Sequence, residues 1–219
     1  MACGRSIGGA SQGLCPQCSY DIPLTNYWLT EENPVKEHFA GLTPIEHASA
    51  YFFYIDNSPW RRLIHRFKYN GEWHIAYTLG RSYGRELKAS GLYDDIDVVI
   101  PIPLHPIKTM LRGYNQSTYI AEGIAKELGI EVDSRSVRRK RNNPSQTKRH
   151  ARERWENVHG LFAIRRSERL QNRHILLVDD VLTTGATLIS CIETIRAAVP
   201  NCRISIATLA VTDKISFVK

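Results

Sequence analysis

The sequence predicts an α/β protein built on a parallel sheet with helices on both faces. Short strand-like runs occur at residues 97–102 (DVVIPI), 174–178 (HILLV) and 203–211 (RISIATLAV), and HILLV lacks polar alternation, the pattern of a strand covered on both sides. Between them lie stretches with apolar residues three and four apart, the spacing of amphipathic helices. Strands alternating with helices give a parallel sheet. The length of 219 residues suffices for one sizeable core plus an appendage, and not for two large domains.

The elements follow in order. Residues 1–45 are rich in Gly, Pro, Asn and Thr and weak in periodicity, so they read as a small loop-rich module. Residues 46–219 read as the sheet domain. Residues 49–55 (SAYFFYI) are dense in β-formers and predict a strand. Ser58 and Pro59 signal a helix start, and Leu63, Ile64 and Phe67 carry its apolar stripe. The helical pattern continues over residues 72–88 with Ile75, Leu79, Tyr83 and Leu87. After the strand at 97–102 comes a helix over 116–128, with Ile120, Ile124 and Leu128 on one face and Gly129 as its stop. The run at 174–178 leads to a helix over 186–199 that Pro200 ends, and a last strand follows at 203–211.

Composition sets the outer limits. The 42% hydrophobic and 23% charged fractions are ordinary for a globular chain. No apolar run approaches the roughly 18 residues of a membrane span, and the N-terminus lacks an apolar signal core, so a cytoplasmic protein with no membrane partner is expected. The net charge is +7, and residues 135–154 carry nine Lys/Arg against the single acid Glu153. The rest of the chain is close to neutral. Charge concentrated in one segment points to a local anion partner, against the plain reading of a solvated charge run.

The segment HILLVDDVLTTGATL carries the functional argument. An apolar strand leads to two adjacent carboxylates, Asp179 and Asp180. The turn Thr183, Thr184, Gly185, Ala186, Thr187 then opens into a helix. A helix N-terminus offers unpaired N–H groups and the positive end of its dipole to an anion. Gly185 permits a backbone shape that aims several N–H groups inward, and three threonine hydroxyls can donate more. Carboxylates next to a phosphate would repel it unless a neutral group lay between, and a sugar is such a group. In open α/β sheets, ligands bind at the carboxyl ends of strands. No Gly-Lys-Thr/Ser follows the glycine, which excludes a Walker loop.

This segment resembles the signature of the phosphoribosyltransferase superfamily (type I fold). The upstream stretch VVIPIPLHPIKTMLRGYNQS, with Arg112-Gly113-Tyr114-Asn115-Gln116, resembles the ComF competence family, as do Gln146, Arg154, Asn157, Gly160 and Phe162 downstream. The resemblance implies that Val181, Leu182, Thr183, Thr184, Gly185, Ala186 and Thr187 surround the 5-phosphate of phosphoribosyl diphosphate. It implies that Asp179 and Asp180 hold the ribose hydroxyls. It further implies that residues 103–113 handle the diphosphate and its Mg²⁺, with Lys108 and Arg112 as cationic contacts; simple surface charge is the alternative for both. Asn115 and Gln116, with Ser117, read equally as caps of the following helix.

The basic stretch falls where these folds carry a mobile lid, so Arg139, Arg141, Gln146, Lys148, Arg149 and Arg154 are candidate lid residues over the leaving group. The same residues suit single-stranded DNA, whose phosphates need only Lys and Arg, and Trp155 could stack a base or serve as a packing anchor. Cys15 and Cys18 form a C-x-x-C pair. In a loop-rich module this favours structural Zn²⁺ over a reactive dithiol and fits the family's small zinc ribbon. Cys3 is expected as a third ligand, with His38, His47 or a residue ahead of Met1 as the fourth. Cys191 and Cys202 read as small buried hydrophobes.

Two functions are expected. One is Mg²⁺-dependent transfer of ribose 5-phosphate from phosphoribosyl diphosphate to a base or amine acceptor. The other, implied by the family, is non-enzymatic: a competence factor that binds single-stranded DNA or competence proteins during DNA uptake. Nothing in the sequence points to glutamine hydrolysis, because no glutaminase-sized segment is present.

Overall fold

The computed structural model describes residues 15–140, 160–212 and 215. In chain order these form α1 (Pro16–Tyr20), α2 (Pro34–Phe39), β1 (Ala48–Tyr54), α3 (Pro59–Tyr69), α4 (Trp73–Ser90), β2 (Val98–Pro101), α5 (Pro106–Arg112), α6 (Gln116–Leu128), β3 (Glu131–Val132), β4 (Val137–Arg139), β5 (Phe162–Ile164), β6 (His174–Leu182), α7 (Ala186–Ala198) and β7 (Arg203–Thr212). One sheet runs β1-β7-β6-β2-β3, and every pairing in it is parallel. β4 and β5 pair separately as an antiparallel ribbon. The parallel α/β architecture is the one the apolar runs predict.

The sheet lies between two cores. Leu176 and Val178 of β6 pack with Leu79 and Tyr83 of α4 and with Ile120 and Ile124 of α6. Ile175 and Leu177 face the other way, against Leu188, Ile192 and Ile195 of α7. All four β6 side chains are fully buried, and each contributes roughly 1.5–3 kcal/mol. This two-sided burial is why the strand reads as an unbroken apolar run.

Close backbone contact between α4 and α6 seats the N-terminus of α6 at the end of β6. A Cβ placed on Gly123 would lie 2.7 Å from the Arg81 nitrogen, and one on Gly84 would lie 2.9 Å from the Ile124 Cα. No larger residue fits there without separating the helices. Gln116 and Ser117, in the first turn of α6, are thereby carried to the carboxyl end of the central strand.

Three elements differ from the sequence expectation. The helical pattern of residues 59–88 is two helices, α3 and α4, parted at Asn70–Glu72 and tied by an ion pair between Arg66 and Glu72. β6 continues past Val178 to Leu182, so both aspartates are strand residues. The stretch 103–113, expected as a loop, is largely helix α5. Its Pro106 sits in the first turn and the His105 side chain accepts from the Ile107 N–H.

The described part of the N-terminal segment is anchored on the sheet. Trp28 packs with Tyr51 and Tyr83 in one core, while Val35 and Phe39 of α2 enter the other. Asn33 caps α2 by accepting from the Val35 and Lys36 N–H groups, and donates to the Ala48 carbonyl at 2.9 Å. Among the described residues, no helix is long and apolar enough to cross a membrane.

Candidate functional site

The two aspartates end the central strand and are held differently. Asp180 is 6% exposed. Its Oδ1 lies 2.9 Å from the Lys68 ammonium, and its Oδ2 accepts from the Gln116 amide at 2.7 Å. Asp179 accepts from the Ser117 hydroxyl at 2.9 Å and from the Asp180 N–H at 2.9 Å. Burial, and then the neighbouring Asp180 charge, push the Asp179 carboxyl up to about 7. The hydrogen bonds from Ser117 and the Asp180 N–H oppose that rise. Burial alone would pull the Lys68 ammonium down, but Asp180 outweighs it and holds the group above its ordinary value. The site thus pairs one carboxylate locked to a cation with one that is close to protonation near neutral pH.

Sequence reasoning missed Lys68. It is the last-turn lysine of α3, indistinguishable by pattern from any cation at a helix C-terminus. Gln116 was visible in the Arg-Gly-Tyr-Asn-Gln run and, with Ser117, around a helix cap, but neither as a partner of the acids. Asn115 does fill the capping role, accepting from the Ser117 N–H at 3.2 Å.

Beyond the acids, Thr183 and Thr184 lie exposed and Gly185 is buried. Gly185 has φ of 71° and is the N-cap of α7, with no side-chain hydrogen bond closing that helix end. The first-turn N–H groups of this thirteen-residue helix therefore lack a side-chain cap. Among the described residues, the hydroxyls of Thr183, Thr184 and Thr187 make no hydrogen bond. Leu182 differs from its neighbours: its side chain is buried in the core, so it presents backbone alone.

α2 roofs this turn, which no local pattern could have indicated. The His38 Nε2 lies 3.2 Å from the Thr184 carbonyl oxygen. A Cβ on Gly185 would lie 3.1 Å from the Phe39 ring and 3.2 Å from His38. Gly185 is thus required twice, by its positive φ and by this contact.

Lys108 and Arg112 stand one turn apart on α5. Arg112 donates to the Gln116 side chain at 3.0 Å, and its guanidinium lies 4.8 Å from the Tyr69 ring centre. A chain of contacts therefore runs from Arg112 through Gln116 to Asp180. Burial, then the charges of Arg139 and Arg112, lower the Lys108 ammonium. The Arg139 guanidinium sits 5.5 Å from the Phe162 ring centre. Burial lowers it and the Asp179 charge raises it. Three cations thus neighbour one another, and two of them reach the acid pair, Arg112 through Gln116 and Arg139 through the Asp179 charge. Arg141, Gln146, Lys148, Arg149, Arg154 and Cys3 lie outside the described residues.

Cys15 caps α1 and accepts from the Cys18 N–H at 3.3 Å. Among the described residues, no three metal-ligating side chains converge. His38 is engaged with the threonine turn, and His47 lies beside Tyr93 and His174.

Residues 115–216 match the phosphoribosyl transferase domain. The chain is 28% identical over 195 residues to competence protein F of Haemophilus influenzae, covering 85% of each protein. It is 31% identical over 179 residues to the DNA utilization protein YhgH of Shigella flexneri, covering 80% of this chain and 74% of that one. The chain belongs to the ComF family of the phosphoribosyltransferase superfamily. The matched domain starts at Asn115, so it takes in the ComF-family acid pair, the threonine turn and Gln116. Lys68, His38 and α5 come from the chain ahead of it and complete the site from outside.

Proposed function

We propose that this ComF-family protein binds phosphoribosyl diphosphate and transfers its ribose 5-phosphate to a base or amine. The observation that carries the reading is the juxtaposition of an uncapped helix end with two adjacent carboxylates, one buried and one half-buried. The α7 N-terminus and the hydroxyls of Thr183, Thr184 and Thr187, which bond to no described residue, suit the 5-phosphate. Asp179 and Asp180 accept from the ribose diol. Lys108, Arg112 and Arg139 face the diphosphate.

In the transfer, the bond from ribose C1 to the diphosphate oxygen breaks with its electron pair leaving on the diphosphate. A bond from C1 to the acceptor nitrogen forms, and that nitrogen loses a proton. Positive charge develops on the sugar, where the adjacent carboxylates stabilise it without forming a bond. Lys68 neutralises Asp180, so Asp180 needs no other cation before the sugar arrives. Mg²⁺ takes oxygen ligands and binds readily through substrate phosphates. The all-oxygen set here suits a cation carried on the diphosphate, which would neutralise the leaving group when bound.

Cys15 and Cys18, together with Cys3, are assigned to a structural zinc. The N–H to sulfur bond at the first turn of α1 suits a thiolate pair. Elemental analysis of the native protein tests this, and absence of stoichiometric zinc would rule it out.

A second reading is favoured by the names of the relatives, a competence protein and DNA utilization proteins. The same fold would then serve DNA uptake by binding a single strand through its basic surface, with or without turnover. Calorimetry separates the two. Under the first reading, phosphoribosyl diphosphate with Mg²⁺ binds and Asp180→Asn weakens the binding about 10- to 100-fold. Incubation with a panel of bases and amines, followed by diphosphate release, then tests for turnover; silence across the panel alongside tight strand binding would favour the second reading.

A further inference from the structure

The threonine turn contains one peptide plane whose orientation is set from outside the turn. A trans peptide is planar, so the carbonyl of one residue and the N–H of the next point in opposite directions. At the Thr184–Gly185 peptide the carbonyl oxygen faces α2, where the His38 Nε2 lies 3.2 Å away. The Gly185 N–H therefore points away from His38, and among the described residues it has no hydrogen-bond partner. No other described group donates to the Thr184 carbonyl. Flipping this peptide changes ψ of Thr184 and φ of Gly185 together. Glycine populates positive and negative φ about equally, so the turn's own residues leave two orientations open. A carbonyl oxygen only accepts, so the contact is a hydrogen bond only with the proton on His38 Nε2. The helix that carries His38 is pinned. Asn33 caps it and donates to the Tyr27 and Ala48 carbonyls at 3.1 Å and 2.9 Å. Val35 and Phe39 are fully buried, and the Phe39 ring stands edge-on to the His38 ring, 5.4 Å between centres.

We propose that His38 is a positioning residue for the threonine turn. It holds the Thr184–Gly185 peptide in the orientation that turns the Gly185 N–H, together with the first-turn N–H groups of α7, toward the 5-phosphate. A flipped peptide would present the Thr184 carbonyl oxygen to the anion and replace an attraction by a repulsion. A bond on the far side of the turn is thereby felt at the ligand. The inference rests on the transferase reading, which puts the phosphate at this turn. It makes phosphate affinity depend on α2, a helix that lies ahead of the matched domain at residues 115–216.

The test uses the full-length protein with the variants His38→Ala and His38→Gln. A glutamine amide has a similar reach and can donate to the same carbonyl. The first measurement needs no ligand. A long-range proton–nitrogen NMR spectrum of the wild type with isotopically labelled histidine reads each imidazole's tautomer, and the His38 signal is the one absent from His38→Gln. A proton on Nε2 is expected. The second measurement is calorimetry with ribose 5-phosphate, with circular dichroism checking that each variant folds. His38→Ala should bind about 3- to 10-fold more weakly, the worth of one hydrogen bond, and His38→Gln should regain most of the loss. A roof that only fills space would not be rescued by a donor. An Nε2 without its proton in the ligand-free protein, wild-type affinity in His38→Ala, or a glutamine variant no better than the alanine one overturns the proposal. A wild type that carries the Nε2 proton yet binds no ribose 5-phosphate would count against the transferase reading and leave the peptide held as described.

Discussion

The two ends of β6 carry two polar clusters with opposite characters. At its start, His174 is buried between Asp95, 2.9 Å from Nδ1, and Ser205, 2.8 Å from Nε2. At its end, Asp179 and Asp180 meet Lys68, Gln116 and Ser117. The first cluster has the order of a hydrolytic triad, yet Ser205 has no exposed surface, so no substrate can reach it. Both His174 nitrogens are satisfied and the hydroxyl is sealed. The second cluster opens onto an uncapped helix end and hydroxyls that bond to none of the described residues. A complete and closed network stabilises the fold, whereas one left with free donors at a strand's carboxyl end is equipped for a ligand.

Removing each cluster breaks the comparison in a different measurement. The largest expected effect is on stability. His174→Ala takes one partner each from Asp95, which keeps Arg203, and Ser205, which keeps the His47 N–H, and opens a cavity, for a loss of about 3 kcal/mol. Thermal unfolding should shift down by roughly 6–12 °C for a domain of this size, while phosphoribosyl diphosphate affinity of the folded protein stays unchanged. Next comes Asp180→Asn. It removes a charged acceptor from the sugar and should weaken phosphoribosyl diphosphate binding by about 10- to 100-fold, the worth of a charge-assisted hydrogen bond.

Gly185→Ala should follow. The left-handed conformation costs a residue with a Cβ roughly 1–2 kcal/mol, and that Cβ presses on Phe39. Binding of ribose 5-phosphate should drop several-fold, with a smaller fall in melting temperature. Unchanged ribose 5-phosphate affinity would detach the threonine turn from the site.

Acid should act on the two ends in opposite directions, and this is the smallest effect. Burial holds the His174 imidazole below its ordinary value. Its unfolded form takes up a proton first, so its contribution is present above about pH 6.5 and is lost as pH falls. Asp179 is raised, so its contribution is present below about pH 4 and is lost as pH rises toward 7. The slopes oppose each other between these limits. Urea titrations of Asp179→Asn across pH 5–7 should show stability rising with pH more steeply than in the wild type. The carboxylate form is the acceptor, so sugar binding by the wild type should strengthen as pH rises through about 7.

Legibility in the sequence followed the range of the physical cause. α6 was read to its last residue because its cap at Asn115 and its stop at Gly129 are both local. The two-sided burial of β6 produced an apolar run that can be read without a structure, and the acids and threonine turn after it pointed to an anion next to a sugar. Lys68 and His38 escaped because each meets the site from an element far away in the chain, and neither sits in a pattern that differs from an ordinary helix. α5 was hidden by its prolines, which read as loop and instead start a helix. The division at residue 45 and the roles of Arg141, Gln146, Lys148, Arg149, Arg154 and Cys3 remain expectations of the sequence.

Calorimetric titration of the wild type and of Asp179→Asn/Asp180→Asn with phosphoribosyl diphosphate and Mg²⁺ addresses the end of β6 most directly. One site per chain in the wild type, with its heat lost in the double variant, is the predicted result. No heat with the wild type, or equal binding by both proteins, would contradict it.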